Sequence, residues 1–139
     1  MRPIYISATI QDSGKTCVSL GLMQILEEKK ANPGYIKPVG QHYIRYKNDN
    51  IDEDAVLIHQ VFNLNEKPHC LSPIAIEGGF TKKFIETPDV KPLEEDIKNC
   101  VQTLKNIHPL LIVEGTGHAG VGSCFGLSNA RVAELIDAS

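Results

Sequence analysis

The fold is decided by the stretch Ile4-Tyr5-Ile6-Ser7-Ala8-Thr9-Ile10-Gln11-Asp12-Ser13-Gly14-Lys15-Thr16. Its first five residues form a short apolar, β-branched run over 4–8, which is typical of a buried parallel strand. A polar loop follows, and a helical pattern then continues from about Lys15 to about Lys30. A second extended run, Tyr35-Ile36-Lys37, leads into Pro38. The order strand, loop, helix, strand predicts one βαβ unit with a right-handed crossover.

The loop carries the strongest chemical signal of the sequence, Ser13-Gly14-Lys15-Thr16. Binding a triphosphate requires backbone N–H donors, a cation and a hydroxyl ligand for magnesium. The loop and the helix N-terminus supply the donors, Lys15 the cation and Thr16 the hydroxyl. Thr9 stands where the full pattern Gly-x-x-x-x-Gly-Lys-Ser/Thr has its first glycine. The sequence therefore predicts binding of ATP and Mg²⁺ at this loop, with contacts from Thr9, Gln11, Asp12, Ser13, Gly14, Lys15, Thr16 and Cys17.

Three further residues are candidates for the same site. Glu114 follows the apolar run 110–113 and precedes Gly115-Thr116-Gly117. Ligands gather at the carboxyl ends of parallel strands, so Glu114 is a candidate magnesium ligand, as is Thr16. Lys37 ends the second strand, where its charge can neutralise a transferring phosphoryl group, and it is a candidate catalytic residue with Lys15. Asp52, Glu53 and Asp54 open a helix, where acids are favoured by the helix dipole alone, but one of them, Asp54 by preference, is also a candidate for a second magnesium ligand.

The remaining elements complete an α/β pattern. We predict loop or a short edge hairpin over 41–50, irregular structure over 63–76 with a short extended segment at 71–76, and a strand over 110–113. Helices are predicted over 52–62, 80–86, 92–107 and 128–136. The strand over 4–8 should lie beside the strand over 110–114. These elements predict one domain, 1–139, of the P-loop NTPase type, with a doubly wound, mainly parallel sheet. The sequence stops inside an expected helix-to-strand transition, so we expect the N-terminal part of a longer domain or protein.

Composition and charge exclude several function classes. The net charge is −3, with basic residues scattered along the chain, which argues against a nucleic-acid or anionic-membrane surface. Neither a signal peptide nor a membrane span is recognisable, so a soluble, cytoplasmic protein is expected. The four cysteines form no C-x-x-C pair, which argues against a structural zinc site and a disulfide scaffold. His118 lies in the glycine-rich loop, where it is a candidate for substrate contact, whereas His42, His59, His69 and His108 have no metal-ligand spacing. By default we interpret all five histidines as structural or surface residues.

Several stretches together resemble the dethiobiotin synthetases. The segment 8–16 resembles their phosphate loop, which has Gly-Thr before four variable residues and Gly-Lys-Thr. Gly34-Tyr35-Ile36-Lys37-Pro38-Val39 resembles their lysine-bearing strand, Asp54-Ala55 their acidic helix start, and 113–117 their Val-Glu-Gly-Ala-Gly segment. The stretches 37–41, 52–58 and 114–123 look closer still to the dethiobiotin-synthetase-like N-terminal domain of some phosphotransacetylase-type proteins. The wider group includes the cobyrinic acid a,c-diamide synthases. Ala8 departs from the family glycine, and His118 stands where a small residue is usual.

The resemblance implies that ATP phosphorylates a carboxylate or carbamate of a small-molecule acceptor, after which a nitrogen displaces phosphate. Lys15 and Lys37 would clamp the transferring phosphoryl group, and Thr16, Asp54 and Glu114 would hold Mg²⁺. The favoured hypothesis is therefore an ATP-dependent carbon–nitrogen ligase. The alternative is a non-catalytic, nucleotide-sensing regulatory domain of a phosphotransacetylase-like protein. A P-loop kinase is less favoured because no arginine-rich lid segment is recognisable. The sequence leaves open whether the protein forms a homodimer.

Overall fold

The computed structural model describes residues 2–118 and 120–139, so that Met1 and Ala119 lie outside the described residues. The strands are β1 (Ile4–Ile6), β2 (Pro33–Ile36), β3 (Val39–Gly40), β4 (Tyr43–Tyr46), β5 (Asp49–Asp52), β6 (Ile74–Ala75) and β7 (Leu110–Glu114). The α-helices are α1 (Lys15–Glu28), α2 (Glu53–Val61), α3 (Pro68–Leu71), α4 (Phe80–Glu86), α5 (Lys91–Ile107) and α6 (Asn129–Leu135). A 3₁₀ helix covers Gly122–Phe125.

A three-stranded parallel sheet with the order β1-β7-β2 organises these elements. Ile6 lies opposite Glu114, and Ile36 lies opposite Val113. The prediction that the first strand neighbours the strand over 110–114 is confirmed, although β1 ends at Ile6 rather than at Ala8. The carboxyl ends of the three strands therefore meet at one edge, which is where ligands bind in sheets of this type. The predicted α/β, P-loop-type fold is confirmed.

Two long helices cover the sheet. Helix α5 packs against β2 and β7, and it buries four residues of its predicted apolar face, Ile97, Cys100, Val101 and Leu104. Helix α1 packs against all three strands. Its apolar residues at 18, 22, 25 and 26 indicated the buried face, but Val18 and Ile25 are about half exposed, whereas Ser19 and Met23 are fully buried. The helix is rotated because Lys15 and Thr16 line the cleft at the sheet edge, and one turn later Ser19 points the same way.

Smaller elements surround the sheet. Strands β4 and β5 form an antiparallel hairpin, so of the two alternatives for 41–50 the hairpin is confirmed, although it extends to Asp52. Its turn places Lys47 and Asn48 in the left-handed region. Strands β3 and β6 pair in parallel, which gives the extended segment expected within 71–76. The four-residue helix α3 was not predicted, because a single turn beginning at Pro68 has no hydrophobic periodicity to detect.

The backbone of Ser139 pairs with β1. Its N–H donates to the Pro3 carbonyl at 2.9 Å, and its own carbonyl accepts from the Tyr5 N–H at 2.9 Å.

No helix in the described part of the chain has the length and apolar character needed to cross a bilayer.

Candidate nucleotide-binding site

The loop between β1 and α1 has the conformation of an anion cradle. Gly14 precedes the first helical residue with φ 83°, and Asp12 also has a positive φ, 54°. Glycine adopts this left-handed conformation without steric cost, so Gly14 lets the chain turn sharply into the helix. No described side chain caps the N-terminus of α1. The first-turn amides of this 14-residue helix therefore remain available to an anion such as a phosphate.

A cavity of about 270 Å³ lies at this helix start, at the carboxyl edge of the sheet. It joins residues from the loop, from the segments after β2 and β5, and from the end of β7. The cavity is lined by Asp12, Ser13, Gly14, Lys15, Thr16, Cys17, Lys37, Asp54 and Glu114. Every residue that the sequence assigned to the site lies here except Thr9 and Gln11.

Thr9 and Gln11 lie outside this cavity. Thr9 is exposed and lines a different depression, together with Ser7, Ala8, Ser128, Asn129 and Ala130. Gln11 is also exposed, and its Nε2 lies 3.5 Å from His42 Nε2. Because β1 ends at Ile6, the loop begins earlier than expected, and its first half runs outside the cavity. Direct contact of these two residues with a nucleotide stays a prediction.

Glu114 is fully buried and is held by three hydroxyl groups. Its Oε1 accepts a hydrogen bond from Thr16 Oγ1 at 2.8 Å, and its Oε2 accepts from Ser19 Oγ at 2.6 Å and Tyr35 OH at 3.1 Å. Burial, and next the Glu114 carboxylate, raise the pKa of the Tyr35 phenol well above its usual value, so Tyr35 keeps its proton and donates. These bonds fix Glu114 with Oε1 directed toward Thr16 at the cavity.

Lys37 is buried, 6% exposed, among three carboxylates. Its Nζ lies 2.9 Å from Asp52 Oδ1 and 3.8 Å from Glu114 Oε1, and it forms a short ion pair with Asp54. Burial by itself lowers the pKa of the Lys37 amine, but Asp52 and Asp54 more than offset this effect, so the pKa is raised above 10.5. Lys37 is therefore a permanent cation at neutral pH.

Asp52 is the site residue that sequence reasoning placed least well. The sequence grouped it with Glu53 and Asp54 at an acidic helix start, where Asp54 was preferred as the magnesium ligand, but Asp52 is fully buried. As the N-cap of α2 it accepts from the Asp54 N–H at 3.0 Å through Oδ1, while Oδ2 accepts from the Gln41 N–H at 3.0 Å. Its position next to the predicted helix start was a capping signal, but nothing in the sequence indicated its contact with Lys37.

The donor set fits a magnesium ion. Thr16, Asp54 and Glu114 offer one hydroxyl and two carboxylates, the hard oxygen ligands that Mg²⁺ prefers. Thr16 Oγ1 and Glu114 Oε1 are 2.8 Å apart. Adjacent ligands about 2.0–2.1 Å from an octahedral magnesium ion are separated by about 2.9 Å. Three carboxylates face the single ammonium of Lys37, so this side of the cavity carries excess negative charge that a divalent cation would balance.

Two amide side chains fix the loop after β7, and the sequence did not reveal either. Gln41 Oε1 accepts from the Gly117 N–H at 2.9 Å. Asn129 Oδ1 accepts from the Thr116 N–H at 2.9 Å and from its hydroxyl at 3.1 Å. Both partners are distant in sequence, so no local pattern could indicate them. They hold the glycine-bearing loop beside the site.

Most histidines have structural partners, as expected. Buried His59 lies 3.2 Å from Tyr46 OH, and buried His108 lies 2.7 Å from Glu66 Oε1. Exposed His118 accepts from the Gly120 N–H at 3.0 Å, within its own loop.

The four cysteines are free thiols, and Cys17 is exposed at the cavity.

Comparison with known proteins agrees with this geometry. A family described as an AAA domain matches residues 2–139. The chain is similar to the ATP-dependent dethiobiotin synthetases BioD of three organisms. Identity is 30% over 119 residues for Methanocaldococcus jannaschii (82% of this chain, 52% of the relative). Identity is 32% over 121 residues for Methanococcus vannielii (85% of this chain, 53% of the relative). For Clostridium kluyveri it is 30% over 115 residues (82% of this chain, 48% of the relative).

The chain thus spans about half the length of the curated relatives it matches. The resemblance to the dethiobiotin synthetases that the motifs predicted is confirmed, whereas the narrower likeness to phosphotransacetylase-type proteins stays a prediction. Because the AAA-domain match extends over all described residues and the phosphate-loop geometry agrees with it, the chain belongs to this family, as a P-loop domain of the dethiobiotin synthetase-like type.

Proposed function

We propose that this domain binds ATP with Mg²⁺ and transfers the γ-phosphoryl group to a carboxylate or carbamate of a small acceptor, which activates it for carbon–nitrogen bond formation. The observation that carries the proposal is the convergence of Lys15, Thr16, Lys37, Asp54 and Glu114 around one cavity at the carboxyl edge of the sheet. The names of the similar enzymes, which are ATP-dependent dethiobiotin synthetases, support the same chemistry.

The loop and the helix N-terminus bind the phosphate chain. The uncapped amides of α1 donate hydrogen bonds to phosphate oxygens, and Lys15, which is 8% exposed at the cavity, contributes a cation. Thr16, Asp54 and Glu114 would hold Mg²⁺, which when bound would neutralise negative charge of the phosphates. The side chains of Ser19 and Tyr35 keep the Glu114 carboxylate in place.

Phosphoryl transfer is the first of two chemical steps. An acceptor carboxylate or carbamate oxygen attacks the γ-phosphorus, the bond from that phosphorus to the β–γ bridging oxygen breaks, and ADP leaves. Lys15 and Lys37 neutralise the negative charge that develops on the transferring group. A nitrogen next attacks the activated carbonyl carbon, the carbon–oxygen bond to phosphate breaks, and phosphate leaves with the nitrogen losing its proton to solvent.

Calorimetric titration of the full-length protein with ATP and Mg²⁺ tests the proposal. We expect binding by the wild type, and a loss of affinity of at least about tenfold in Lys15→Ala, because charge-assisted contacts to phosphate contribute about 1.5–3 kcal/mol. Lys29→Ala is the matched control, since Lys29 is exposed at the far end of α1. Equal affinities of the wild type and Lys15→Ala would refute nucleotide binding at this loop.

A second candidate is a non-catalytic nucleotide-binding domain. The observation that favours it is the contact of Lys37 with Asp52 and Asp54, which engages its ammonium without a phosphate. The two functions differ in one measurement. The ligase releases phosphate from ATP with an amine- or carboxylate-bearing acceptor, whereas a wild-type protein that binds ATP and releases no phosphate with any acceptor would favour the sensor.

A further inference from the structure

A second cluster of metal-ligating side chains lies between α3 and α5, and it shares no residue with the cavity around Lys15. His69 is on α3, and Asp96 and Cys100 are one turn apart on α5. His69 Nε2 lies 3.0 Å from Asp96 Oδ1, and Cys100 Sγ lies 3.9 Å from the same oxygen. All three ligand atoms lie within 4.8 Å of one another. No local pattern indicated this cluster, because His69 and Asp96 are 27 residues apart.

We propose that His69, Asp96 and Cys100 form a site for a thiophilic divalent transition metal ion, of which Zn²⁺ is the natural choice. Imidazole nitrogen, carboxylate oxygen and thiolate sulfur are all ligands of zinc. With bond lengths of about 2.0–2.3 Å, tetrahedral ligand atoms lie about 3.3–3.7 Å apart. The observed separations bracket this range, so small side-chain rotations suffice to bind an ion. The thiol distinguishes this site from the oxygen-only set around Thr16, which suits Mg²⁺.

The fourth coordination position opens toward solvent. His69 and Asp96 also line a cavity of about 430 Å³, and their side chains are 46% and 36% exposed. Cys100 lies behind them and is only 4% exposed. A bound ion would therefore have three protein ligands and one open position facing the cavity, which also contains polar groups of Arg45, Asn50 and Glu77. An open position is the arrangement that allows a metal to take a water molecule or an anionic ligand.

An ordinary surface ion pair beside a core cysteine is the simpler account of these residues. It explains the contact of His69 with Asp96 and the burial of Cys100 on the apolar face of α5, but not the direction of the thiol, whose Sγ lies 3.9 Å from the same Asp96 oxygen that His69 contacts. Burial raises the pKa of the Cys100 thiol, so the thiol keeps its proton until a metal ion displaces it. The two accounts differ in one observable, which is a sulfur–metal bond.

Cobalt titration of the reduced, metal-free full-length protein detects that bond. We expect one equivalent of Co²⁺ to produce a sulfur-to-cobalt charge-transfer band with tetrahedral ligand-field bands, and Zn²⁺ to abolish both. Cys100→Ser should lose the charge-transfer band, and His69→Ala should weaken Zn²⁺ affinity by more than about tenfold. Cys124→Ser is the control, since this exposed thiol lies outside the cluster and should leave the band unchanged.

Circular dichroism and ATP affinity of each variant check that the fold is intact, and the exposed position of His69 keeps its variant informative if Cys100→Ser does not fold. Absence of a charge-transfer band in the wild type would overturn the proposal. A band that persists at full intensity in folded Cys100→Ser, or Zn²⁺ affinity unchanged in His69→Ala, would overturn it equally.

Discussion

At the scale of the residue, the site depends on a cation that is buried among acids. Lys37 contacts carboxylates from three elements: Asp52 ends β5, Asp54 lies in the first turn of α2, and Glu114 ends β7. An isolated ammonium would lose charge on burial, but these partners keep it protonated. Removing one member of such a group leaves the others uncompensated, so the charges have to be considered together.

Lys37→Met should reduce turnover far more than nucleotide affinity. The charge of Lys37 matters most where negative charge develops, and losing one such contact costs about 10²–10³ in rate. We expect phosphate release to fall by about this factor while the affinity for ATP with Mg²⁺ changes by less than about fivefold. Lys98→Met, at an exposed position on α5, is the control. Equal losses of rate and affinity would make Lys37 a binding residue only.

Glu114→Gln should separate metal binding from nucleotide binding. The substitution keeps the shape and an acceptor for Thr16 but removes the negative charge. We expect the gain in ATP affinity that Mg²⁺ produces to shrink by at least about tenfold, whereas affinity measured in a chelator stays equal or improves. Titrations with Mg²⁺ and with chelator measure both, with Glu95→Gln on the exposed face of α5 as control. A magnesium effect as large as that of the wild type would exclude Glu114 as a ligand.

At the scale of the element, the close approach of β3 to β5 positions Asp52. A Cβ on Gly40 would lie 2.5 Å from Asp52 Cβ and 2.7 Å from its Oδ2. Only glycine therefore lets β3 lie against the N-cap of α2. Because Asp52 holds both Lys37 and the first turn of α2, this contact links strand packing to the geometry of the cavity.

Two glycine substitutions should change stability in opposite directions. Gly40→Ala forces Asp52 to move, and such overpacking costs about 1–3 kcal/mol of the free energy of unfolding. Gly21→Ala lies in the middle of α1 with open space around it, so it should stabilise the protein by about 0.5–1 kcal/mol. Urea denaturation measures both. A Gly40→Ala protein as stable as the wild type would show that Asp52 is free to shift.

At the scale of the whole molecule, the raised pKa of Lys37 makes stability depend on alkaline pH. A group whose pKa is higher in the folded than in the unfolded state contributes its full stabilisation of the fold when the pH is below its unfolded-state pKa, which is 10.5 for Lys37. The stabilisation is lost as the pH rises through the folded pKa. The window therefore lies above pH 10.5, and neutral pH leaves the contribution intact.

The difference in unfolding free energy between the wild type and Lys37→Met should accordingly stay constant from about pH 8 to about pH 10 and decrease above 10.5. Denaturation at a series of pH values measures this difference, and Lys98→Met serves as a reference for general alkaline effects. A decrease that already begins below about pH 9 would mean that burial outweighs the carboxylates and lowers the pKa of Lys37.

Those parts of the protein whose signals are local could be predicted from the sequence. The apolar run before the loop, the order Gly14-Lys15-Thr16 and the amphipathic pattern of α5 each lie within a short window, so strand, anion cradle and helix could be predicted. Lys37 and Glu114 could be placed at one edge because parallel strands align their carboxyl ends. Rules of sheet topology therefore allow residues from separate strands to be assigned to one site.

The side chains that complete the site and the second cluster became evident in the folded chain alone. The contacts that complete them join elements that are separate along the chain. They are the contacts of Asp52 with Lys37, of Tyr35 and Ser19 with Glu114, and of His69 with Asp96 and Cys100. The buried face of α1 was decided in the same way, because orientation of the phosphate loop outweighs the hydrophobicity of Val18 and Ile25. A local pattern cannot specify such contacts, since they depend on how separate elements rotate and pack against one another.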